Sequence, residues 1–172
     1  MAQTETFILR AALDGGRSVY RDIEIDPTKS LYRLAEAIVQ AFGFDFDHAF
    51  GFYTGLTLSK IKVVHPQYEL FADIGEAAAG VLGVEKTRIA QAFPEVGHTL
   101  LFLFDYGDDW LFRITLKATG TKQPRTRYPR VVAAKGQAPE QYPEPDEDDD
   151  DEGGPRRAIN PRTGEIIKIG KS

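Results

Sequence analysis

The order of patterned segments predicts a two-layer α+β domain, a mainly antiparallel β-sheet with helices packed on one face, followed by a disordered acidic and basic C-terminal tail. Three observations carry this. Two pairs of apolar-patterned segments read as hairpins, at 5–25 and 98–118; one strongly amphipathic segment lies between them; and near residue 144 the apolar residues give way to a run of carboxylates. With 172 residues, 42% of them hydrophobic, the chain is long enough for one domain with a core, assigned to residues 1–143.

In the first pair, TFILRAALDG and SVYRDIEI are separated by Asp14-Gly15-Gly16, a turn that glycine permits. DPTKSLYRLAEAIVQAFGF then places Leu31, Leu34, Ile38 and Phe42 at the 3.6-residue period, with Ala35 and Val39 beside them, and predicts a helix over about 30–42. Thr28 or Ser30 caps its start, and Gly43 suits the position just past its end. The following FDFDHAFGFYTG is aromatic-rich and irregular, with short strands expected at 61–65 and around 68–72. Residues 74–93 hold two short helical patterns, broken by Gly80 and Gly83 and ended by Pro94, with Thr87 and Arg88 near the start of the second. Residues 98–106 and 110–118 form the second hairpin; in its return strand Trp110, Phe112, Ile114 and Leu116 share one face and Arg113, Thr115 and Lys117 the other. From 119 to 143 the Pro-rich chain reads as an extended strap over the domain.

The net charge of −5 conceals a segregation. Residues 1–143 carry 16 Lys and Arg against 17 Asp and Glu, whereas 144–152 (EPDEDDDDE) hold eight acids and the last twenty residues hold five bases against Glu165. The acidic run cannot bury enough apolar surface to offset its ordering entropy. The absence of cysteine excludes disulfides, thiolate nucleophiles and Cys-ligated metals, and fits a reducing compartment. The N-terminal MAQTETFILRAALDGG lacks a basic stretch followed by a long apolar run, and no segment approaches the roughly 18 apolar residues that span a bilayer. A cytoplasmic protein without membrane contact is expected.

Within the second hairpin, FDYGDDWLF interrupts an apolar run with Asp105, Asp108 and Asp109. One reading is structural: Gly107 supplies a positive φ, an aspartate bonds nearby amides, and Tyr106 and Trp110 flank the turn as cross-strand aromatics. A second adds Asp45, Asp47 and His48 from the post-helix loop, so that carboxylates from Asp105 and Asp108 with one imidazole hold Mg²⁺, Mn²⁺ or Fe²⁺ in a metal-dependent enzyme. A third makes the region a contact surface. The spacing matches no metal motif, and no nucleophile elbow, phosphate loop or dinucleotide fingerprint is present; no cofactor and no catalytic residue is assigned.

Between Lys117 and Lys135 lie six bases (with Lys122, Arg125, Arg127 and Arg130), no acid, and Tyr128. Such a strap can follow a phosphate backbone, or its arginines can pair with the domain's own carboxylates. At the end of the chain, INPRTG (159–164) reads as a turn between two β-prone pieces. It resembles the arm tip of bacterial histone-like HU/IHF proteins, where an Asn-Pro precedes a Thr-Gly and the proline wedges between base steps. That resemblance implies contact by Arg157, Asn160, Pro161 and Arg162.

The opening hairpin ending in VYRDIEI, the helix SLYRLAEAIVQAFGFDFDH, the core LFLFDYGDDWLFRITL and the following RYPRVVAAKGQAPEQYP together resemble the pRiA plasmid open-reading-frame-three-like family, some of whose members carry the label transposon passenger TnpR. The resemblance spans residues 5–143. It assigns Asp47, His48, Asp105, Gly107, Asp108 and Trp110 to the family signature. Two departures stand out: Phe112 where many members have histidine, and APEQYPEP where many have a Pro-Pro-Glu-Asp-Gly-Gly-like segment. The resolvase-like label implies recombination, but that chemistry needs a nucleophilic serine among arginines, an arrangement not found here. The expected function is a small binding module associated with nucleic acid or mobile elements, its basic strap and tail meeting phosphates. The alternatives are a module whose acidic run docks a basic protein, and the metal-dependent enzyme.

Overall fold

The computed structural model describes residues 4–15, 18–142, 156–159 and 166–169. Ten strands and two helices follow in the order β1 (Glu5–Leu13), β2 (Tyr20–Ile25), α1 (Leu31–Ala41), β3 (Phe50–Tyr53), β4 (Gln67–Glu69), β5 (Leu82–Gly83), α2 (Ile89–Ala92), β6 (Thr99–Phe104), β7 (Trp110–Thr121), β8 (Arg130–Lys135), β9 (Arg156–Ile159) and β10 (Ile166–Ile169). The first eight strands form one sheet in the order β5-β4-β3-β6-β7-β1-β2-β8, antiparallel except for the β4–β5 pair. This is the expected α+β class.

The helix α1 forms where its period and caps place it. Of the two candidate caps Ser30 is used, its Oγ accepting from the Arg33 N–H at 3.2 Å, while Thr28 turns to Asp26. Gly43 closes the end with φ +73°, a conformation that costs a glycine little. The buried stripe Leu31, Leu34, Ala35, Ile38 and Val39 lies on the inner face of the sheet, against Phe7 and Leu9 of β1, Ile23 and Ile25 of β2, and Phe112, Ile114 and Leu116 of β7. A smaller cluster on the outer face joins Tyr53, Ile61, Leu101, Leu103 and Leu111.

Several local expectations are overturned. No strand forms at 61–65: the amides of Lys60, Ile61, Val63 and Val64 bond to the carbonyls of Thr57 and Lys60, so the segment winds into turns that lay Ile61 over the outer cluster. The strand lies earlier, at Phe50–Tyr53 in the stretch read as irregular; all four residues are buried, so the alternation that marks a strand is missing. The strand near 68–72 begins at Gln67 and gives way at Leu70–Ile74 to a 3₁₀ turn, stopped by Gly75 at φ +76°. The second helical pattern shrinks to the single turn α2, which Arg88 precedes as expected. The strap contains β8, which pairs with β2 and forms one edge of the sheet. Gly16, in the first expected turn, and the acidic run lie outside the described residues. In the tail, β9 and β10 pair antiparallel, with Ile159 opposite Ile166 and Arg157 opposite Lys168.

Phe112 is fully buried, with its ring 4.8 Å from that of Phe42 and 5.8 Å from that of Phe102. Truncation to alanine removes packing on β6, β7 and the end of α1 together, so Phe112→Ala is expected to lower stability by ~3–5 kcal/mol in urea denaturation followed by far-UV circular dichroism.

Candidate functional site

The chain between β6 and β7 turns over residues 105–109, but Gly107 is not its left-handed residue. That conformation falls to Asp105 (φ +65°) and Asp109 (φ +53°), which aspartate tolerates better than most side chains. The Asp109 N–H donates to the Asp105 carbonyl across the turn at 2.6 Å. The Asp105 carboxylate, largely buried, divides its labour. Its Oδ1 accepts from the amides of Gly107 at 3.0 Å and Asp108 at 3.3 Å, and its Oδ2 lies 3.4 Å from His48 Nε2. Gly107 keeps this capping close: a Cβ there would sit 3.3 Å from Asp105 Oδ1, a tight contact to which the carboxylate would have to yield by a few tenths of an ångström. Tyr106 and Trp110 are not paired across the turn. Trp110 packs inward on Phe44 at 4.8 Å, whereas Tyr106 joins the outer cluster, stacked on Phe71 and bonded to the Tyr53 hydroxyl at 2.8 Å. Burial pushes both tyrosine phenols up.

The post-helix loop is held against this turn. The Asp105 N–H donates to the Ala49 carbonyl at 2.9 Å, and Phe46 packs on Phe50 and Phe104, which sets His48 over the edge of Phe104. A third segment, which no sequence motif announces, closes on both. Gln141 mimics a strand partner for Asp45, its Oε1 accepting from the Asp45 N–H at 2.7 Å and its Nε2 donating to the Asp45 carbonyl at 3.1 Å. The Tyr142 hydroxyl donates to Asp47, 3.1 and 3.2 Å from the two carboxylate oxygens, and lies 2.6 Å from His48 Nε2. The direction of the bond between that phenol and His48 Nε2 follows the imidazole tautomer. Gln141 and Tyr142, which lie within the stretch that departs from the family pattern, are therefore the residues that meet the loop. A separation of 94 residues between His48 and Tyr142 leaves no linear spacing to reveal the contact.

Of the five candidate metal ligands, Asp47, His48 and Asp105 come together. Asp45 offers the cluster its backbone, and Asp108 acts as a nearby charge on Tyr142. Among the described residues, no group of three or more His, Asp or Glu is arranged to hold a metal ion. The Tyr142 hydroxyl stands closer to the imidazole than either carboxylate does, and it knits the cluster as a hydrogen-bonded latch. Desolvation and the Asp47 carboxylate, with added charge from Asp105 and Asp108, push the Tyr142 phenol up to about 12.

The basic strap divides. Lys122 Nζ lies 2.6 Å from Asp26 Oδ2 and Arg130 lies 2.8 Å from Glu24 Oε2, both carboxylates nearly buried, so these two cations are spent inside the fold. Arg125 and Arg127 are exposed and, like Lys117 and Lys135, make no ion pair among the described residues. In the tail, Arg157 belongs to β9, while Asn160, Pro161 and Arg162 lie outside the described residues.

The profile of the family described as Plasmid pRiA4b ORF-3-like protein matches residues 5–144. No curated protein matches. Among solved structures, the chain is similar to that of a protein of unknown function, MM3350 from Methanosarcina mazei Go1. The TM-score is 0.64 at 16% identity, over 80% of this chain and 72% of that one, which is a likeness of fold.

Two outcomes follow from the latch. The phenol's pKa in the fold lies above its ordinary value of 10.0, so Tyr142 contributes to closure fully below about pH 10 and loses that contribution as pH rises toward 12. In an absorbance titration of tyrosinate, Tyr142→Phe is expected to remove one group titrating near pH 12. At the turn, Asp105→Asn keeps an acceptor and a left-handed residue, whereas Asp105→Ala loses both. The alanine variant is expected to be the less stable of the two by ~1–3 kcal/mol in urea denaturation.

Proposed function

The chain belongs to the plasmid pRiA4b ORF-3-like protein family, and from that premise we propose that it is a binding module for nucleic acid whose contacts are made by the basic C-terminal arm and by Arg125 and Arg127 of the strap. The observation that carries the reading is the pairing of β9 with β10. It makes an antiparallel ribbon whose strands hold Arg156, Arg157 and Lys168 and whose connection is NPRTGE. A two-stranded ribbon with a proline-bearing tip is a form that enters a groove of duplex DNA, and its cations displace counterions from phosphates.

The acidic run 144–152 lies in sequence between the anchored Tyr142 and this arm. It acts as a tethered competitor, occupying the arm's cations when no phosphate is present and so suppressing weak non-specific binding. Association with mobile-element biology belongs to the same proposal. A basic protein docked on the acidic run is the reading that takes its place if nucleic acid fails.

Fluorescence anisotropy with labelled duplex and single-stranded DNA and RNA tests this. At low salt the chain lacking 144–152 is expected to bind most tightly, the full chain less so, and residues 1–143 least. Replacing Arg156 and Arg157 by alanine is expected to lower the magnitude of the log–log salt slope by roughly 0.7–0.9 for each phosphate that is no longer neutralised. Absence of binding by every form at low salt overturns the proposal.

A further inference from the structure

A cleft of about 320 Å³ opens between the β2–α1 junction and the loop that joins β7 to β8, away from the latch. Asp26, Lys29 and Arg33 line one side, and Lys122, Thr126 and Tyr128 the other. Its one carboxylate is already satisfied. Asp26 Oδ2 accepts from Lys122 at 2.6 Å, and Oδ1 accepts from the Thr28 amide at 2.9 Å and hydroxyl at 2.7 Å. Burial opposes its charge, but Lys122 and Thr28 outweigh that and hold it below the usual carboxylate range. Lys29 makes no ion pair among the described residues, and Arg33 gives one guanidinium nitrogen to Glu36, which leaves further N–H donors. The Tyr128 hydroxyl accepts from the Gln123 N–H at 3.0 Å, so its own proton is available to a ligand.

A concave wall with surplus cations, a phenolic donor and an aromatic ring offers an anion two or three charge-assisted bonds and a planar group a surface to rest on. We propose that this cleft is a binding site for a nucleoside phosphate, with Lys29, Arg33 and Tyr128 on the phosphate. The chemistry is shared by a free nucleotide and by one residue of a nucleic-acid strand. The site deepens the proposed function only in the second case.

Isothermal titration of the full chain with adenosine 5′-monophosphate, adenosine and a 5′-phosphorylated single-stranded decanucleotide tests the assignment. The monophosphate is expected to bind about tenfold more tightly than adenosine, or ~1.4 kcal/mol. Lys29→Ala/Arg33→Ala, at two exposed positions, is expected to abolish that difference with an unchanged melting temperature, and Tyr128→Phe to reduce it. Arg156→Ala/Arg157→Ala is expected to leave it intact. Equal binding of monophosphate and adenosine, or undiminished monophosphate binding by the Lys29/Arg33 variant, overturns the site. Decanucleotide affinity that falls in both the cleft and arm variants identifies a strand as the source; a loss in the arm variant alone, with monophosphate still bound in the cleft, identifies a free nucleotide. If the cleft fails and the arm variant still loses the decanucleotide, the nucleic-acid reading survives without it.

Discussion

Phe112 packs between Phe42 at the end of α1 and Phe102 on β6, and this contact fixes the end of the helix to the middle of the sheet. One helix of 11 residues and the single turn α2 have to cover the inner face of an eight-stranded sheet, and small side chains would leave that layer thin. Aromatic rings fill it instead. Phe44 lies on Trp110, Phe46 on Phe50 and Phe104, and Tyr32 against Phe46 and Phe50. The loop after α1 is thereby pinned at alternate residues, 44 and 46, and Asp47 and His48 follow directly. Their meeting with Asp105 is thus a consequence of core packing, with Phe104 itself reaching the His48 ring.

A comparable economy governs charge on the outer face. Asp22, Glu24 and Asp26 recur at every second residue, which places them along one side of β2 and its extension, all nearly buried. Each has a cation: Arg10 grips Asp22 through two bonds of 2.8 and 3.0 Å, Arg130 reaches Glu24, and Lys122 reaches Asp26. Removing one partner would leave a buried carboxylate uncompensated, a larger loss than the pair itself is worth. The strap is therefore tied down at Lys122 and at Arg130, and the chain between them carries Arg125 and Arg127 outward. A basic segment read as one strip becomes two anchors and a displayed loop.

How much of this was legible depended on whether a signal was local. The helix α1 and both long hairpins announced themselves through period, cap and alternation, and the turn residues Gly107 and Asp108 between two apolar segments located the turn at 105–109. The strand Phe50–Tyr53 did not, because burial on both faces erases alternation. Residues 61–65 carried the β-branched pattern of a strand, yet the outer cluster needed only Ile61, and tertiary packing overrode propensity. Gly107 drew the positive φ on composition alone, while Asp105 and Asp109 adopt it because the carboxylate of Asp105 caps the turn it begins. The contacts of Gln141 and Tyr142 were hidden for a different reason: their segment stood out only as a departure from the family pattern, and a latch between residues 94 and 96 positions apart follows no spacing rule.

The latch has a further effect through its place in the chain. Tyr142 is where the latch holds the end of the domain, and Arg156 is the first residue of the ribbon, so 13 residues separate anchor from arm. Under the proposed function, the eight carboxylates of residues 144–152 are tied to the arm through the chain and compete for its cations intramolecularly, without having to be gathered from solution. Competition of that kind is strong against isolated phosphates and weak against a long polyanion, because a duplex engages several cations at once and releases many counterions. Under the proposed function, the anchor point makes the arm selective for extended nucleic acid, and loosening Tyr142 would weaken that selectivity by lengthening the tether.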